Sequence, residues 1–272
     1  MANQRKITNS KKSFLNSKNS WSIFLIFFIV GIIISNKKAI LYYFSFKTNK
    51  VLQSDLNYKA RNEEVLKANN DKIVGIDVSH YQGNINWSKV EFVANKYPIE
   101  FVFIRATQGT DKKDSQFENN WEKSKKYNFF RGAYHYYRPN ENSLEQAENF
   151  IKTVKLSEGD LPPVLDIEKM PKTQSIDNLK LGLHRFLDKI EAHYHTKPII
   201  YSGEKYYEDF LKDEFSDYVF WIANYNFIEA EINPDYQFWQ FTEQGQVKGI
   251  SEKVDINIFN GNFEDLRDLR ID

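Results

Sequence analysis

The strongest constraint on the fold is a succession of eight short apolar runs, five trailed by helical periodicity and three not. From Lys72 the chain reads "KIVGIDVSH" as a strand, then Trp87 to Lys96 as a helix. "IEFVFIRAT" precedes a helix over Phe117 to Tyr127, and "FRGAYHYY" one over Leu144 to Lys155. "PPVLDIE" is followed by a long helix from Ile176 to His195, with apolar Leu179, Leu183, Phe186, Leu187 and Ile190 on one face. "KPIIYSG" leads into a shorter helix from Lys205 to Leu211, after which "YVFWIANYN", "YQFWQFTEQ" and "KVDINIFNG" have no room for full helices between them. Strand runs alternating with helical patterns argue for parallel strands with crossover helices. Eight strands in roughly 200 residues fall short of a regular (β/α)₈ barrel, which takes about 250. The simplest expectation is α/β: an irregular (β/α)5β3 TIM-like barrel with helices after the first five strands. An open doubly wound sheet is the structural alternative, but no glycine-rich phosphate turn supports it.

The first seventy residues differ in kind. Residues 1–54 hold nine Lys/Arg and no acid, and the remainder carries 28 basic against 37 acidic residues, net −9. A body of that sign is a poor partner for phosphates, so no nucleic-acid role is expected. Cationic residues 1–20 precede the apolar block "WSIFLIFFIVGIII", Trp21 to Ile34, which ends at Ser35-Asn36-Lys37-Lys38. This is the layout of an export signal or signal anchor. The block is short against the ~20 residues of a usual span, but flanking polar residues and snorkelling lysines extend it. No small-x-small cleavage site follows closely, so residues 1–20 read as a cytoplasmic tail and 21–36 as an uncleaved anchor, with a cleaved signal peptide as alternative. Residues 37–71 read as a linker or stalk, helical or flexible, and 72–272 as the catalytic body outside the membrane. The chain has no cysteine, which excludes disulfides, thiolate metal sites and a cysteine nucleophile.

Chemistry concentrates at strand ends. In "LPPVLDIEKM" Asp166 and Glu168 are two residues apart, so strand alternation aims them to one side with Cα atoms ~6.5 Å apart. Two acids on one inward face repel, which costs stability unless they work. Asp77 in "VGIDVSH" and Asp255 in "KVDINIF" lie on strands one and eight, neighbours in a closed barrel. A lone Asp at a strand end commonly caps a turn, which is the alternative for Asp77, and a simple pair with a lysine is the alternative for Asp255. Together the four make an anionic cleft in which one carboxyl has a raised pKa, as a general acid requires. Such a cleft suits a divalent metal or glycoside hydrolysis. Metal binding calls for a histidine too: His80 and His135 lie near strand ends, while His184, His193 and His195 read as surface or packing residues of the long helix. Aromatic residues on strands three, five, six and seven, including Tyr136, Tyr137 and Tyr225, favour sugar.

With these residues in view, the sequence resembles the family-25 glycoside hydrolases, the Chalaropsis-type lysozymes. The resemblance runs from about Val74 to Gly261 through "GIDVSHYQGNINW", "FVFIRATQGT", "RGAYHYYRP", "PPVLDIE", "FWIANY", "FWQFT" and "VDINIFNG". It implies the same (β/α)5β3 barrel and cleavage of the β-1,4 bond between N-acetylmuramic acid and N-acetylglucosamine. Peptidoglycan glycan strands are the implied partner, the protein is expected as a monomer, and no metal or cofactor is called for. Glu168 is implied as general acid, Asp166 as the charge beside the anomeric carbon, and Asp77 and Asp255 as completing the acidic set. Tyr134 of the G-A-Y-H motif is implied as a substrate contact; with Tyr201, Trp221 and Trp239 it forms the expected substrate-binding set. The D-x-E also resembles that of enzymes whose substrate acetamido oxygen is the nucleophile, an exception to the usual two-carboxylate scheme. One departure is Gln108, where many relatives have the acid of A-T-E-G-T. Family-18 chitinases carry a further Asp two residues before the D-x-E, where this chain has Val164. A catalytically silent wall-binding module is the alternative from a different class.

Overall fold

In a computed structural model, residues 55–271 are described, and eight strands close into a barrel. They are β1 (Ile73–Val78), β2 (Tyr97–Gln108), β3 (Phe130–Tyr136), β4 (Val164–Asp166), β5 (Ile199–Gly203), β6 (Val219–Ala223), β7 (Phe238–Gly245) and β8 (Val254–Phe259). Strands β1 to β7 pair in chain order and in parallel. The last strand, β8, closes the ring antiparallel to both β7 and β1. The open-sheet alternative is thereby set aside.

Alternation along these strands sorts the apolar residues into two cores. The inner one takes Ile73, Phe101, Phe103, Val164, Ile199, Trp221, Phe238 and Phe259. The outer one takes their neighbours, among them Ile76, Val102, Ile104, Leu165, Ile200, Ile222 and Ile256. Inside, rings pack stacked, edge to face or tilted: Phe103 on Trp221 at 4.6 Å, Phe101 on Phe238 at 5.4 Å and Phe238 on Phe259 at 4.9 Å. Aromatic rings of that size fit because the facing strand withdraws. A Cβ on Gly75 would lie 2.4 Å from the Phe101 ring, and one on Gly132 2.5 Å from Phe103. The barrel is therefore a filled plug with polar groups only at its upper end.

The crossovers are less regular than expected. Helices α2 (Phe117–Lys126), α3 (Ser143–Thr153) and α4 (Ile176–Tyr194) follow β2, β3 and β4. Helix α3 is capped by Asn142 and α4 by Ser175. The five apolar residues anticipated on α4 are its buried face. The helix expected over Trp87 to Lys96 is absent; a short 3₁₀ turn, Trp87–Lys89, gives way to Phe92–Val93, which pairs with the start of β2. Ala94 and Asn95 both take positive φ, 52° and 56°, reversing the chain where a helix would have continued. After β5, one α-turn at Glu204–Tyr206 widens into a π-turn over Tyr207–Leu211. A short α5 (Phe263–Asp268) follows β8.

The end of the range 37–71, read as a linker or stalk, helical or flexible, is helical. Residues Asp55–Ala68 form a helix, α1, that packs on β7. No helix follows β6 or β7, so the outward face of β7, Trp239 and Phe241, would lack a cover. Val65 and Leu66 of α1 join the same outer core. The apolar block at 21–36 lies outside the described residues. Among those described, no helix is long and apolar enough to cross a membrane.

Candidate active site

The barrel's upper end opens into a cleft of about 370 Å³, within the range of small-ligand sites. All four acids face it: Asp77, Asp166, Glu168 and Asp255. Asp77 stands near the end of β1. Asp255, by contrast, lies near the start of β8, which runs downward because it is antiparallel, and so meets Asp77 directly across the ladder. Asp166 closes β4. Beyond it, Ile167 N–H donates to Tyr201 O (3.0 Å) and Tyr137 N–H to Asp166 O (2.8 Å), continuing strand-like bonding past the formal end. Ile167 therefore points into the outer core and Glu168 shares the side of Asp166.

Asp77 is the most heavily bonded of the four. Its Oδ2 accepts from Gln240 Nε2 at 2.7 Å and from Asn257 Nδ2 at 2.9 Å. Each amide is oriented from behind. Gln240 Oε1 accepts from the Tyr201 hydroxyl at 2.8 Å and from the Tyr225 hydroxyl, while Asn257 Oδ1 accepts from the Trp221 indole N–H at 2.8 Å. Both amides must then turn their N–H groups to Asp77, which favours its anion. The Asp77 and Asp255 carboxyls also hydrogen-bond to one another, which requires one proton between them. Burial pushes Asp77 up to about 6, against the lowering effect of Asn257, Gln240 and Asp255. Burial, then the Asp77 charge, pushes Asp255 up to about 9, so Asp255 holds the shared proton.

Asp166 is 4% exposed, and its Oδ1 has no hydrogen-bond partner among the described residues. Burial, with Glu168 and Asp77 adding like charge, raises its pKa well above the ordinary value, opposed by Arg105 and Lys169. Glu168 is open to solvent at the mouth, yet its pKa is raised, first by desolvation and then by Asp77 and Glu243, with Lys169 and Arg105 opposing. Arg105, inward on β2 two residues after Phe103, is the cleft's buried cation. It is held by Asp114 (Nε–Oδ2 3.0 Å) and lies over the Tyr81 ring at 5.0 Å.

Of the expected aromatic set, Tyr134, Tyr201 and Trp221 line the cleft and Trp239 does not. Trp239 alternates with Phe238 and Gln240, so it faces outward, 2% exposed, with its indole N–H on Asn224 O at 2.9 Å. His135 faces outward too. Its ring meets Thr107 Oγ1 (2.7 Å) and Gln146 Oε1 (3.1 Å), and burial pushes it down to about 4. It is a packed neutral residue away from the cleft. Gln108 lines the cleft, with its side-chain amide beside the Arg138 guanidinium. Arg105, Gln240, Asn257 and Glu243 were not singled out from sequence. The first three were within reach: each is two residues from an inward residue, Phe103, Phe238 or Asp255, and so shares its side.

The shared proton carries a measurable consequence. Asp255 has an ordinary pKa of 3.8, raised to about 9 in the fold. Between those values the folded chain binds more protons than the unfolded chain, so stability falls as pH rises through the window. Urea midpoints should decrease from pH 5 to pH 8.5 in the wild type. They should decrease less in Asp255→Asn, which has no proton to lose there; equal slopes would remove the pairing.

Against this geometry, the family described as Glycosyl hydrolases family 25 matches residues 76–250, more than half of the chain. Lysozyme M1 of Streptomyces globisporus is 32% identical over 210 residues, spanning 72% of this chain and 70% of its own. Uncharacterized protein YegX of Escherichia coli (strain K12) is 39% identical over 201 residues, 72% of each chain. Among solved structures, the bacterial lysozyme from Streptomyces coelicolor superposes with a TM-score of 0.64 at 31% identity, covering 72% of this chain and 96% of that one. A barrel closed by an antiparallel eighth strand and a cleft lined by Asp77, Asp166, Glu168 and Asp255 thus belong to a chain that is a member of glycoside hydrolase family 25, and an enzyme of that class.

Proposed function

We propose that this glycoside hydrolase is a peptidoglycan-cleaving lysozyme, acting on the β-1,4 bond between N-acetylmuramic acid and N-acetylglucosamine. The observation that carries this reading is the pairing of a buried acceptor, Asp166 Oδ1, with a carboxyl of raised pKa at the mouth, Glu168. A buried oxygen lacking a donor costs stability, and the N–H of an N-acetyl group is a donor of the right kind. Lysozyme M1 is similar over most of the barrel.

In the proposed reaction Glu168 gives its proton to the bridging oxygen as the C1–O bond breaks. The acetamido carbonyl oxygen closes on C1 from the opposite face. Asp166, ionised, accepts the acetamido N–H and balances the positive charge of the oxazolinium so formed. Water then adds at C1, Glu168 takes back a proton, and the acetamido group is restored with net retention. The productive arrangement has Asp166 ionised and the proton on Glu168. Asp77, kept anionic by Gln240 and Asn257, raises Glu168 toward that state. Tyr134, Tyr201 and Trp221 form the apolar floor against which a sugar ring rests.

The cationic tail and the apolar block at 21–36 support an uncleaved anchor, with the barrel on the outer side of the membrane.

Three outcomes are expected. Purified cell walls lose turbidity with the wild type, and Glu168→Gln lowers that rate by ~10²–10⁴ fold; equal inertness of both would favour a glycan-binding module. NMR of fresh product shows the β-anomer first, and initial α-anomer would remove the substrate-assisted route. A tagged full-length chain sediments with membranes and is extracted by detergent, whereas its release into the medium would sink the anchor.

A further inference from the structure

Helix α1 lies outside the residues matched to the family, and its contacts exceed what a cover for β7 requires. A covering helix needs apolar residues; α1 also buries Arg61 (7% exposed) and Asn62 (7%), and Asn69 (4%) is buried just past its end. Burying a guanidinium is costly unless it is hydrogen-bonded. Arg61 Nη2 donates to Asn226 O at 3.1 Å and to Glu229 O, while its nearest carboxylate, Glu64, is 3.8 Å away. Asn69 Nδ2 donates to Ala230 O at 2.7 Å, and its Oδ1 accepts from Ile232 N–H at 3.0 Å. The Tyr58 ring meets Phe227 at 5.4 Å.

All these partners belong to one segment, residues 224–237, which joins β6 to β7 without a helix. Its 226–229 turn satisfies its own N–H groups: Asn226 Oδ1 accepts from Ile228 and Glu229. The carbonyls of Asn226, Glu229 and Ala230 take donors from Arg61 of α1 and from Asn69 just after it instead. Immediately before that turn stands Tyr225, which lines the cleft, is 37% exposed and donates to Gln240, the amide that holds Asp77.

We infer that α1 is a working part of the cleft: Arg61 and Asn69 are positioning residues that fix the β6–β7 segment and thereby hold Tyr225 at the cleft wall. Apolar cover of β7 comes from Val65 and Leu66 and does not require this polar grip. Tyr225 meets the glycan at the wall and not at the breaking bond, so loss of the grip weakens binding more than chemistry. This inference rests on the glycan-cleaving reading for its kinetic arm and on geometry alone for its spectroscopic arm.

The test uses the full-length chain in detergent, carrying 3-fluorotyrosine, with the Tyr225 resonance assigned by its loss in Tyr225→Phe. In Arg61→Met that resonance should shift or broaden, and Arg61→Lys, which keeps one donor, should fall between; it also serves if Arg61→Met does not fold. An unchanged Tyr225 signal in the folded variant overturns the inference whether or not the enzyme degrades walls. On solubilised wall glycan, Arg61→Met should raise KM about threefold to tenfold, as expected within one hydrogen-bond network, with kcat nearly constant. The same substitution should add nothing in a Tyr225→Ala background. An equal KM shift in both backgrounds, or a change in thermal midpoint alone, assigns Arg61 a structural role only.

Discussion

Everything at the cleft depends on the two-residue alternation of strands in a closed ring. Each strand has one inward face, and the inward series up β2 is Phe101, Phe103, Arg105; up β3 it is Gly132, Tyr134, Tyr136; down β8 it is Asp255, Asn257, Phe259. The lower positions are aromatic and the upper ones polar. The plug of rings excludes water from below, and the groups above it sit on a medium of low polarizability. Burial is for that reason the largest influence on Asp77, Asp166, Glu168 and Asp255.

That environment is divided by hydrogen bonding. Asp77 is saturated with amide donors and joined to Asp255, whereas Asp166 is equally buried and has an oxygen left over. Four carboxyls of one type thus separate into an anion, a proton holder, an unsatisfied acceptor and a solvent-facing acid. Environment assigns these roles, as it does wherever paired carboxyls work at neutral pH.

Much of this was legible in the sequence and some was not, for identifiable reasons. Asp166 and Glu168 declared a shared face by spacing, and α4 showed its buried stripe by period. Trp239 was misplaced because aromatic supply was weighed without counting parity from Phe238. The helix drawn over residues 87–96 dissolved into a hairpin whose reversal uses Ala94 and Asn95, with no glycine to signal positive φ. A helix before the barrel was among the expectations, but its docking was not legible because much of what it brings is polar: Arg61, Asn62 and the following Asn69 give no amphipathic signal, and their purpose appears only when carbonyls from residues more than 160 positions away meet them. The antiparallel sense of β8 likewise depends on closure of the whole ring and on nothing local to "KVDINIF".

The glycine–phenylalanine pairs beneath the cleft carry a consequence for how such a barrel can change. Gly75 faces Phe101 and Gly132 faces Phe103, so volume is traded between adjacent strands at a fixed sum. Enlarging the glycine alone produces a clash, and shrinking the ring alone leaves a hole under Trp221 and Phe238. The two members of each pair can drift only together, as a reciprocal exchange. Descent should therefore preserve the height of the cleft floor even where the residues that build it are replaced.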